Sequence, residues 1–346
     1  MVLTITPAPT ANITNDSIDV ICSGDTYIVH GDPTNDSITL WTTSGTGTFN
    51  WPGNLHTTYT PSAADISAGS VILTFTVDGY NPCHSVYDQM ILNITPAPIA
   101  DAGAAADVCE GDTYTVNGTT ASNYSSLNWT SSGTGTFTAG TTLTPTYDPS
   151  AADEVAGSVI LTLTAVGNTP CADATSTMVL TIVPAPTADA GPNDNVCEGD
   201  TYILGGTTAS NHAGITWTSS GTGTFTAGTT LTPTYDPSAA DEVAGSVILT
   251  LTAVGNTPCA DATSTMVLTI VCPPIADAGP NDNVCEGDTY TLNGTTASNY
   301  SSLNWTSSGT GTFTAGTTLT PTYDPSAADI SAGSVILTLT AVGNTP

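Results

Sequence analysis

Alternating apolar and polar positions mark the most regular stretch of the chain. Residues 157–183 read GSVILTLTAVGNTPCADATSTMVLTIV, with two runs in which large apolar side chains alternate with threonine or serine. A period of two places successive side chains on opposite faces of a strand. The intervening GNTPC supplies turn-forming residues. The stretch therefore predicts two β-strands joined by a turn, each with one buried face.

The same text recurs along the chain at a fixed period. Residues 245–271 repeat it letter for letter, and residues 131–183 match 219–271 without a change. The landmark tryptophans stand 88 residues apart, as their numbers show: Trp41, Trp129, Trp217 and Trp305. Repetition at such a period indicates a tandem array of small domains.

Proline-rich linkers divide the array, because proline removes a ladder donor and so ends a strand. They read PAP at 7–9, 96–98 and 184–186, and CPP at 272–274. We predict five segments: the last strand of a preceding repeat at 1–6, a divergent repeat 1 at 7–95, repeat 2 at 96–183, repeat 3 at 184–271, and repeat 4 at 272–346, whose last strand is missing. Met1 aligns with Met90, Met178 and Met266 inside last strands, so we interpret it as an internal methionine of a longer polypeptide.

Shorter elements complete the pattern within each repeat. In the third copy, TADAGPNDNVC and TYILGG predict the first two strands, ITWTSS a strand carrying Trp217, and PSAADEVAG a helical turn ended by glycine. TLTPTYDP predicts a strand that its proline places at a sheet edge. About seven short strands with frequent turn signals are typical of an immunoglobulin-like sandwich. The predicted fold class is all-β, with tandem immunoglobulin-like β-sandwich domains arranged as an extended rod or filament.

The charge balance narrows the range of partners. The chain has 30 acidic residues and neither lysine nor arginine. Nucleic acid and anionic membrane surfaces both require cationic side chains, so neither is a partner. Eight cysteines without a CxxC pair favour disulfides in an oxidising place over metal thiolates. We therefore expect an extracellular or cell-surface protein.

Four segments in combination carry a resemblance to a known family. The repeats run from an "AGxxxxVC" start through "WTSSGTGTF", "YxPSAAD" and "AGSVxLTLT" to a cysteine. This combination resembles the immunoglobulin-like or PKD-like tandem repeats of giant cell-surface adhesins of gliding and related Bacteroidetes. The likeness covers all four repeats and implies an exported, surface or fibre-forming protein. The Asp-Ser-Ile triplets at Asp16 and Asp36 also resemble the O-glycosylation signal of that group, which makes Ser17 and Ser37 candidates for sugar attachment.

Reactive side chains do not recur with the repeat. The histidines fall at unrelated repeat positions: His30, His56, His84 and His212. A copied active site would have kept its base, so we predict no catalytic site and no required cofactor. The recurring tryptophans are expected in the sandwich cores, whereas Trp51, found only in a loop of repeat 1, is the better candidate for contact with another molecule.

The cysteines pose the sharpest structural question. Cys197 follows the first strand and Cys259 lies between the last two, which in an immunoglobulin-like order are opposite ends of a domain about 30 Å apart. Disulfide formation needs Cα atoms within about 7 Å, so pairing between neighbouring repeats is favoured: Cys22 with Cys171 and Cys109 with Cys259. Cys83, Cys197 and Cys285 would then have partners elsewhere. The alternative is pairing inside each repeat: Cys22 with Cys83, Cys109 with Cys171 and Cys197 with Cys259. Cys272 replaces a linker proline and is a candidate for joining chains.

The same geometry predicts a cluster of carboxylates at a repeat junction. It comprises Glu110, Asp112, Asp153, Glu154 and Asp189. Oxygen-rich clusters suit Ca²⁺, which takes six to eight such ligands. Calcium at the linkers is therefore a hypothesis, although no compact calcium-loop motif is present.

Three functional hypotheses follow from these observations. The first is a structural and adhesive extracellular repeat protein that forms a stiff stalk or filament, with other copies of itself or neighbouring repeats as partners. The second is a glycan- or ice-binding array that uses exposed threonine strands such as TGTFTAGTTLT, with surface glycans as partners. The third is a set of accessory domains of a secreted enzyme.

Overall fold

A computed structural model describes residues 1–344 of the chain. Two compact units are present, Met1–Pro184 and a second that begins at Ala185. Repeats 1 and 2 lie in the first unit, and repeats 3 and 4 in the second. Each unit is described by itself.

The elements of the first unit are short strands with one helical turn per repeat. Repeat 1 contains β1 (Ile18–Cys22), β2 (Tyr27–His30), β3 (Asp36–Thr43), β4 (Thr48–Phe49), β5 (His56–Thr60), α1 (Ala63–Ala68), β6 (Ser70–Gly79) and β7 (Val86–Thr95). Repeat 2 contains β8 (Ile99–Asp101), β9 (Ala106–Cys109), β10 (Tyr114–Thr115), β11 (Thr120–Ser122), β12 (Tyr124–Ser131), β13 (Thr136–Thr138), β14 (Thr146–Asp148), α2 (Ala151–Ala156), β15 (Ser158–Gly167) and β16 (Ala174–Val183).

The second unit repeats this order. Repeat 3 contains β17 (Thr187–Asp189), β18 (Asp194–Cys197), β19 (Tyr202–Ile203), β20 (Thr208–Ser210), β21 (His212–Ser219), β22 (Thr224–Thr226), β23 (Thr234–Asp236), α3 (Ala239–Ala244), β24 (Ser246–Gly255) and β25 (Ala262–Val271). Repeat 4 contains β26 (Ile275–Asp277), β27 (Tyr290–Thr291), β28 (Thr296–Ser298), β29 (Tyr300–Ser307), β30 (Thr312–Thr314), β31 (Thr322–Asp324), α4 (Ala327–Ala332) and β32 (Leu337–Gly343).

Each complete repeat is a sandwich of two sheets. In repeat 2 a four-stranded sheet has the order β12-β15-β16-β9, and a three-stranded sheet has the order β10-β14-β13. The pair β8 and β11 adds a short antiparallel ladder. β15 and β16 are antiparallel, as the alternating sequence predicts, whereas β9 runs parallel to β16 and places Cys109 beside Val183. The turn after the first strand therefore lies at the far end of the last strand.

The hydrophobic core of each repeat lies between its two sheets. In repeat 2 Leu161 and Leu163 of β15 are fully buried and pack with Trp129 of β12 and Tyr147 of β14. The recurring tryptophans are buried in all four repeats, so their predicted core position is confirmed. Truncating such a residue to alanine costs about 3–5 kcal/mol of stability.

The PSAAD motif forms a helical turn with a complete capping box. Ser150 accepts a hydrogen bond from the backbone of Asp153, Asp153 accepts one from the backbone of Ser150, and Gly157 ends α2 in the left-handed conformation with φ 74°. Glycine adopts that conformation without a Cβ penalty. The predicted helical turn and its glycine end are confirmed.

The GTG motif at residues 133–135 requires glycine because its backbone passes close to Asp153 and to the carbonyl of Asp148. A Cβ on Gly133 would lie 2.0 Å from Oδ1 of Asp153, and one on Gly135 would lie 2.4 Å from the carbonyl oxygen of Asp148. Only glycine fits at either position. The backbone here wraps around a carboxylate, which the next subsection describes.

The predicted edge strand needs correction. TLTPTYDP does not supply an edge strand: β23 lies in the centre of its sheet, between β19 and β22. The strand begins after Pro233, so the missing N–H stays outside the ladder, and the carbonyl of Pro233 accepts a hydrogen bond from Leu204 N at 3.0 Å. Residues 1–6, predicted to be the last strand of a preceding repeat, have no strand assignment in the structure, and that assignment stays a prediction.

The threonine-rich stretch TGTFTAGTTLT is not one exposed strand either. In repeat 2 only Thr136–Thr138 is extended, and Ala139 turns the chain with φ 56°. Threonines align instead across the four-stranded sheet, where Thr162 is paired with Thr130 on one side and Thr177 on the other. Regular threonine rows therefore lie on a surface that the sequence pattern did not single out.

Candidate functional site at the repeat junction

A disulfide ties repeat 1 to repeat 2. Cys22 at the end of β1 is bonded to Cys171 in the turn between β15 and β16, with Cα atoms 4.8 Å apart. Both residues are buried at 8 % exposure. The bond spans 149 residues of sequence. It joins the far end of one sandwich to the near end of the next.

Strand register explains why these two cysteines meet. β1 runs parallel to β7 and sets Cys22 beside Thr95, the last residue before the linker. The Sγ of Cys171 lies 3.4 Å from the carbonyl oxygen of Thr95, as a close contact, because a disulfide sulfur has no hydrogen to donate. At the end of β7, the turn of repeat 1 that begins at Cys22 therefore lies against the turn of repeat 2 that contains Cys171.

The linker is held from both repeats. The backbone N–H of Ala97 donates to the Ser23 hydroxyl of repeat 1 at 2.7 Å. The carbonyl of Ala97 accepts a hydrogen bond from the side-chain amide of Asn123 in repeat 2 at 3.0 Å. A single linker residue therefore carries one hydrogen bond to each neighbour.

The asparagine contact recurs in every repeat. Each of these residues has a positive φ between 54° and 58° and donates its side-chain amide to a carbonyl of the preceding linker: Asn35, Asn123, Asn211 and Asn299. Asparagine tolerates the left-handed region better than most residues. These asparagines were not among the residues predicted from the sequence, although their 88-residue recurrence was a usable signal.

The structure decides between the two disulfide schemes for the first pair. Cys22 is bonded to Cys171 and Cys83 has a free thiol, so the alternatives Cys22 with Cys83 and Cys109 with Cys171 are wrong. The register gives the physical reason, since the first and last turns of one repeat lie at opposite ends of a ten-residue strand. Cys197 has a free thiol, which excludes its pairing with Cys259. Cys109 and Cys259 are each disulfide-bonded, and their pairing with each other stays a prediction.

The remaining cysteines of the described chain have free thiols: Cys83, Cys197, Cys272 and Cys285. Cys83 repeats the setting of Cys171, because its Sγ lies 3.6 Å from the carbonyl oxygen of Thr6 and 3.4 Å from that of Pro7. A hydrogen bond with Glu198 raises the pKa of the Cys272 thiol above its ordinary value. The predicted role of Cys272 in joining chains stays a prediction.

Asp153, one of the predicted calcium ligands, has a structural role instead. Its carboxylate is 3 % exposed and accepts hydrogen bonds from the backbone N–H groups of Thr134 at 3.0 Å, Gly135 at 2.8 Å and Ser150 at 3.0 Å. The hydroxyl of Tyr147 donates to it at 2.9 Å. Donors from the chain itself occupy both oxygens, so Asp153 does not act as a calcium ligand here.

The same hydrogen bonds control the ionisation of this carboxyl. Burial acts to raise the pKa of Asp153, but the backbone donors of Ser150 and Thr134 and the Tyr147 hydroxyl outweigh it and lower the pKa to about 2. Burial raises the pKa of Tyr147, and the neighbouring carboxylate adds to the rise. Asp65 and Asp241 occupy equivalent positions, each with a pKa lowered to about 2. The repeat therefore contains a buried ionised carboxylate that hydrogen bonds compensate.

Three of the other predicted calcium ligands, Glu110, Asp112 and Glu154, lie near the first turn and the helix of repeat 2. Glu154 Oε1 accepts a hydrogen bond from Gly111 N at 3.0 Å, within the turn that Glu110 and Asp112 flank. Asp189 belongs to the other unit and accepts a hydrogen bond from Gly191 N at 2.9 Å. Across residues 1–344, no group of three or more His, Cys, Asp or Glu side chains is arranged to hold a metal ion. The calcium hypothesis stays a prediction for the residues other than Asp153.

Two histidines of repeat 1 meet, which the sequence analysis did not predict. His30 of β2 is directly opposite His56 of β5, and their Nδ1 atoms are 2.8 Å apart. One Nδ1 donates and the other accepts in such a contact, so the two rings are hydrogen-bonded to each other. The pair is specific to repeat 1, because the other repeats have no histidine at these positions.

The remaining candidates are surface residues. Trp51 is 69 % exposed in the loop between β4 and β5, as predicted for a contact residue. Ser17 and Ser37 are exposed, and the Ser37 hydroxyl donates to the carbonyl oxygens of Asp78 and Gly79 at 2.9 and 3.1 Å. Sugar attachment at either serine stays a prediction.

Fold and junction together define the class of protein. The chain is a tandem array of immunoglobulin-like β-sandwich repeats, in which a disulfide links the first repeat to the second. No known protein family matches the chain, and no curated protein matches it. The assignment therefore rests on the strand order and the repeat pattern.

Solved structures with a similar chain course consist of tandem domains. The titin I-band fragment I67–I69 is 15 % identical, with a TM-score of 0.44, and the alignment covers 77 % of this chain and 99 % of that one. Mouse cadherin-23 EC22–24 is 12 % identical, with a TM-score of 0.33 and coverage of 77 % and 99 %. Protocadherin gamma B2 extracellular cadherin domains 3–6 are 11 % identical, with a TM-score of 0.34 and coverage of 91 % of each chain.

Helices contribute little to the described chain. Each of the four helices has six residues. A membrane-spanning helix needs about 20 apolar residues, and no helix within residues 1–344 meets that requirement.

Proposed function

We propose that this chain is a structural and adhesive extracellular repeat protein whose repeats form a stiff stalk or filament at a cell surface. The observation that carries the proposal is the covalent tie between repeats 1 and 2 through Cys22 and Cys171. An uncrosslinked linker of three residues would let neighbouring domains reorient, since domain motion is the default for small interfaces. A disulfide across the junction removes most of that freedom.

The linker contacts support the same conclusion. Ala97 is hydrogen-bonded to Ser23 on one side and Asn123 on the other, and Pro96 and Pro98 restrict the backbone on each side of it. Asn35, Asn211 and Asn299 hold the other linkers in the same way. Near-identical copies fit a spacer, because length and stiffness do not require the units to differ.

An extracellular setting agrees with the chemistry of the chain. Buried disulfides persist in oxidising compartments and are rare in the cytosol. A chain with 30 acidic residues and no basic ones also repels anionic surfaces, which favours extension away from a cell envelope. The sequence resemblance to surface adhesins agrees with this setting, and other copies of the chain or neighbouring repeats are its proposed partners.

Small-angle X-ray scattering tests the stalk directly. A repeat built on ten-residue strands is roughly 35 Å long, so a rod of four repeats has a radius of gyration of about 40 Å. A compact globule of this length has a radius of about 20 Å. We expect the larger value under oxidising conditions and a broader distribution of distances after reduction. A value near that of the globule would rule out the stalk.

Calcium at the junction remains part of the proposal in a reduced form. Glu110, Asp112 and Glu154 lie near one turn of repeat 2, and oxygen-rich sites without internal cations attract Ca²⁺. Titration of Ca²⁺ into chelator-treated protein, followed by calorimetry and by the melting temperature, tests it. Glu154→Gln should weaken binding, with Asp148→Asn as an exposed control in the same repeat. Unchanged melting with and without chelator would remove calcium from the account.

A further inference from the structure

Repeat 1 presents two histidines on the outer face of its three-stranded sheet. Along β2, Val29 is buried and His30 is half-buried. Along β5, Thr57 is buried and His56 is exposed. Successive side chains of a strand point to opposite faces of a sheet, so both imidazoles lie on the side away from the core. Solvent and dissolved ions therefore reach the pair.

The strand register brings the two imidazoles as close as a sheet allows. Residues opposite each other in an antiparallel ladder alternate between hydrogen-bonded and non-hydrogen-bonded pairs. Gly31 N donates to Leu55 O at 2.7 Å, which is the bond that flanks a non-hydrogen-bonded pair of His30 with His56. In such a pair the Cα atoms are only about 4.5 Å apart and the side chains are closest. The backbone therefore determines the contact between the two rings.

His30 is also held from the other side of its strand. The backbone N–H of His30 donates to Oδ1 of Asn15 at 2.7 Å. The carbonyl of His30 accepts a hydrogen bond from Thr14 N at 2.9 Å. A ligand on a strand that is bonded on both sides keeps its position better than a ligand on a loop. The pair is therefore arranged before any ion arrives.

The arrangement is confined to repeat 1. In repeat 2 the corresponding ladder ends at Thr115 and Thr146. Two residues beyond these, repeat 2 has Asn117 and Thr144 where the longer ladder of repeat 1 has the histidine pair. A spacer needs no feature that only one of its units has. The pair therefore indicates a role in addition to spacing.

The separation of the two Nδ1 atoms suits two ligands on one metal ion. They are 2.8 Å apart, and the rings are tilted by 62° and not stacked. Because an imidazole nitrogen lies about 2.0 Å from a bound divalent ion, this separation corresponds to a nitrogen–metal–nitrogen angle of roughly 90°. A tetrahedral site would need a separation of about 3.3 Å at the same bond length. Angles near 90° are those of square-planar and tetragonal sites, which Cu²⁺ prefers.

The charge of the chain favours a cation at this place. The chain has no lysine or arginine and a formal net charge of −30, and a negative field raises the local concentration of cations. Within residues 1–344, no three His, Cys, Asp or Glu side chains are grouped so that they could hold a metal ion. The histidine pair therefore supplies two nitrogen ligands, and water completes the coordination. A mixed set of nitrogen and oxygen ligands is one that suits Cu²⁺.

We propose that His30 and His56 bind one Cu²⁺ ion through their two Nδ1 atoms, with water at the other positions. Imidazole binds metal in its neutral form. In the metal-free pair one Nδ1 carries the proton that the other accepts. On binding, that proton passes through water to Nε2 of the same ring, so both Nδ1 lone pairs face the ion. The metal then joins β2 to β5 across the ladder.

Electron paramagnetic resonance of Cu²⁺ tests the ligand set. The chain first receives serine in place of its free cysteines, because thiolates also bind copper: Cys83, Cys197, Cys272 and Cys285. With one equivalent of Cu²⁺ at neutral pH, we expect a tetragonal spectrum with coupling to two imidazole nitrogens. His30→Gln and His56→Gln should each abolish that spectrum. His84→Gln, at an exposed histidine of the same repeat, is the matched control and should retain it.

Two results of this experiment would overturn the proposal. The first is a two-nitrogen spectrum that persists in His30→Gln and His56→Gln, because the ion would then lie elsewhere. The second is the absence of a two-nitrogen spectrum in the parent chain at millimolar Cu²⁺. Both variants change residues on the outer face of the sheet, and hydrogen exchange without metal shows whether each one keeps the parent structure.

Hydrogen exchange with Cu²⁺, followed by mass spectrometry, tests where the ion acts. Opening of the ladder between β2 and β5 should slow about 100-fold when free Cu²⁺ is about 100 times its dissociation constant. The ladder of β10 with β14 in repeat 2, which has no histidine, is the internal control and should not respond. In His30→Gln the response of repeat 1 should be lost. Equal slowing in the two repeats, or slowing that survives His30→Gln, would contradict a site at this pair.

Discussion

The hydroxyl of Tyr147 donates a hydrogen bond to Oδ2 of Asp153 at 2.9 Å, and both residues are almost completely buried. Tyrosine comes from the centre of one sheet and aspartate from the helical turn that leads into the other. The same pair recurs as Tyr59 with Asp65, Tyr235 with Asp241 and Tyr323 with Asp329. This contact fixes the helical turn against the sandwich.

Removing the hydroxyl should weaken repeat 2 measurably. Tyr147→Phe leaves the ring in place but removes one donor to a buried carboxylate, so we expect a loss of about 1–2 kcal/mol in the free energy of unfolding. Urea denaturation of the full chain measures the change, and hydrogen exchange assigns it to repeat 2. Tyr124→Phe, at a tyrosine that is 36 % exposed, is the matched control. Equal losses of unfolding free energy at the two positions would show that the hydrogen bond from Tyr147 to Asp153 does not stabilise the repeat.

Replacing the carboxylate should cost more. Asp153→Asn keeps the size of the side chain, but its NH₂ group faces donors where Asp153 has an acceptor oxygen, so we expect about 3 kcal/mol of destabilisation. Thermal unfolding by calorimetry checks it. Asp148→Asn, on an exposed residue of β14, should change the melting temperature by less than a degree or two. A stable Asp153→Asn variant would mean that the capping box alone holds the turn.

Acid should unfold the repeats as this carboxylate is protonated. Because the folded pKa of Asp153 is about 2, below the ordinary value of 3.8, the folded state binds fewer protons than the unfolded state between these values. The stabilisation is therefore complete above about pH 4 and is lost as the pH falls through 2. Unfolding free energies measured from pH 5 to pH 2 should fall across this window. The fall should be smaller in the Asp153→Asn chain, and parallel curves would refute this assignment.

The disulfide between Cys22 and Cys171 should prevent part of the chain from extending under a stretching force. In a Cys109→Ser, Cys259→Ser background, the segment between Cys22 and Cys171, which are separated by 149 positions in the sequence, cannot extend while the bond is intact. Reduction should add roughly 500 Å to the unfolded contour length, at about 3.5 Å per residue. Force spectroscopy with and without reductant measures this length. A Cys22→Ser chain should already show the full length, and an unchanged length on reduction would be inconsistent with the bond.

The asparagine at the linker offers a separate test of stiffness. Asn123→Gly keeps the left-handed backbone but removes the amide that Ala97 O accepts from, so the two repeats should reorient more freely with little loss of stability. Asn123→Ala should also add about 1 kcal/mol of backbone strain. Residual dipolar couplings of repeats 1 and 2 report the orientation. Asn128→Ala, on the exposed face of β12, should leave the couplings unchanged.

Local alternation of residues was sufficient to predict much of the fold. Val159, Leu161 and Leu163 are buried at alternate positions of β15, as the period of two requires, and the capping signals located α2. The inter-repeat pairing of Cys22 with Cys171 could also be reached, because parallel placement of the first and last strands sets the two turns of a repeat far apart. The strand and helix predictions depend on periodicity and capping signals, and the disulfide prediction depends also on an immunoglobulin-like strand order.

Contacts across the sandwich could not be predicted in this way. The sequence predicts Asp153 in a carboxylate cluster at a repeat junction, and only the approach of Gly133 and Tyr147 shows that it is buried within its own repeat. His30 and His56 are 26 residues apart in sequence, and no periodic signal shows that β2 and β5 bring them together. The central position of β23 was missed for a related reason: Pro233 was read as part of the strand, whereas the strand begins after it.

The bond between Cys22 and Cys171 also determines whether cleavage of the backbone separates the chain into two fragments. If a single peptide bond is hydrolysed anywhere between those residues, the two fragments stay attached through sulfur. The segment therefore tolerates one cut by a protease without being severed. A repeat protein exposed to proteases would gain durability from such redundancy.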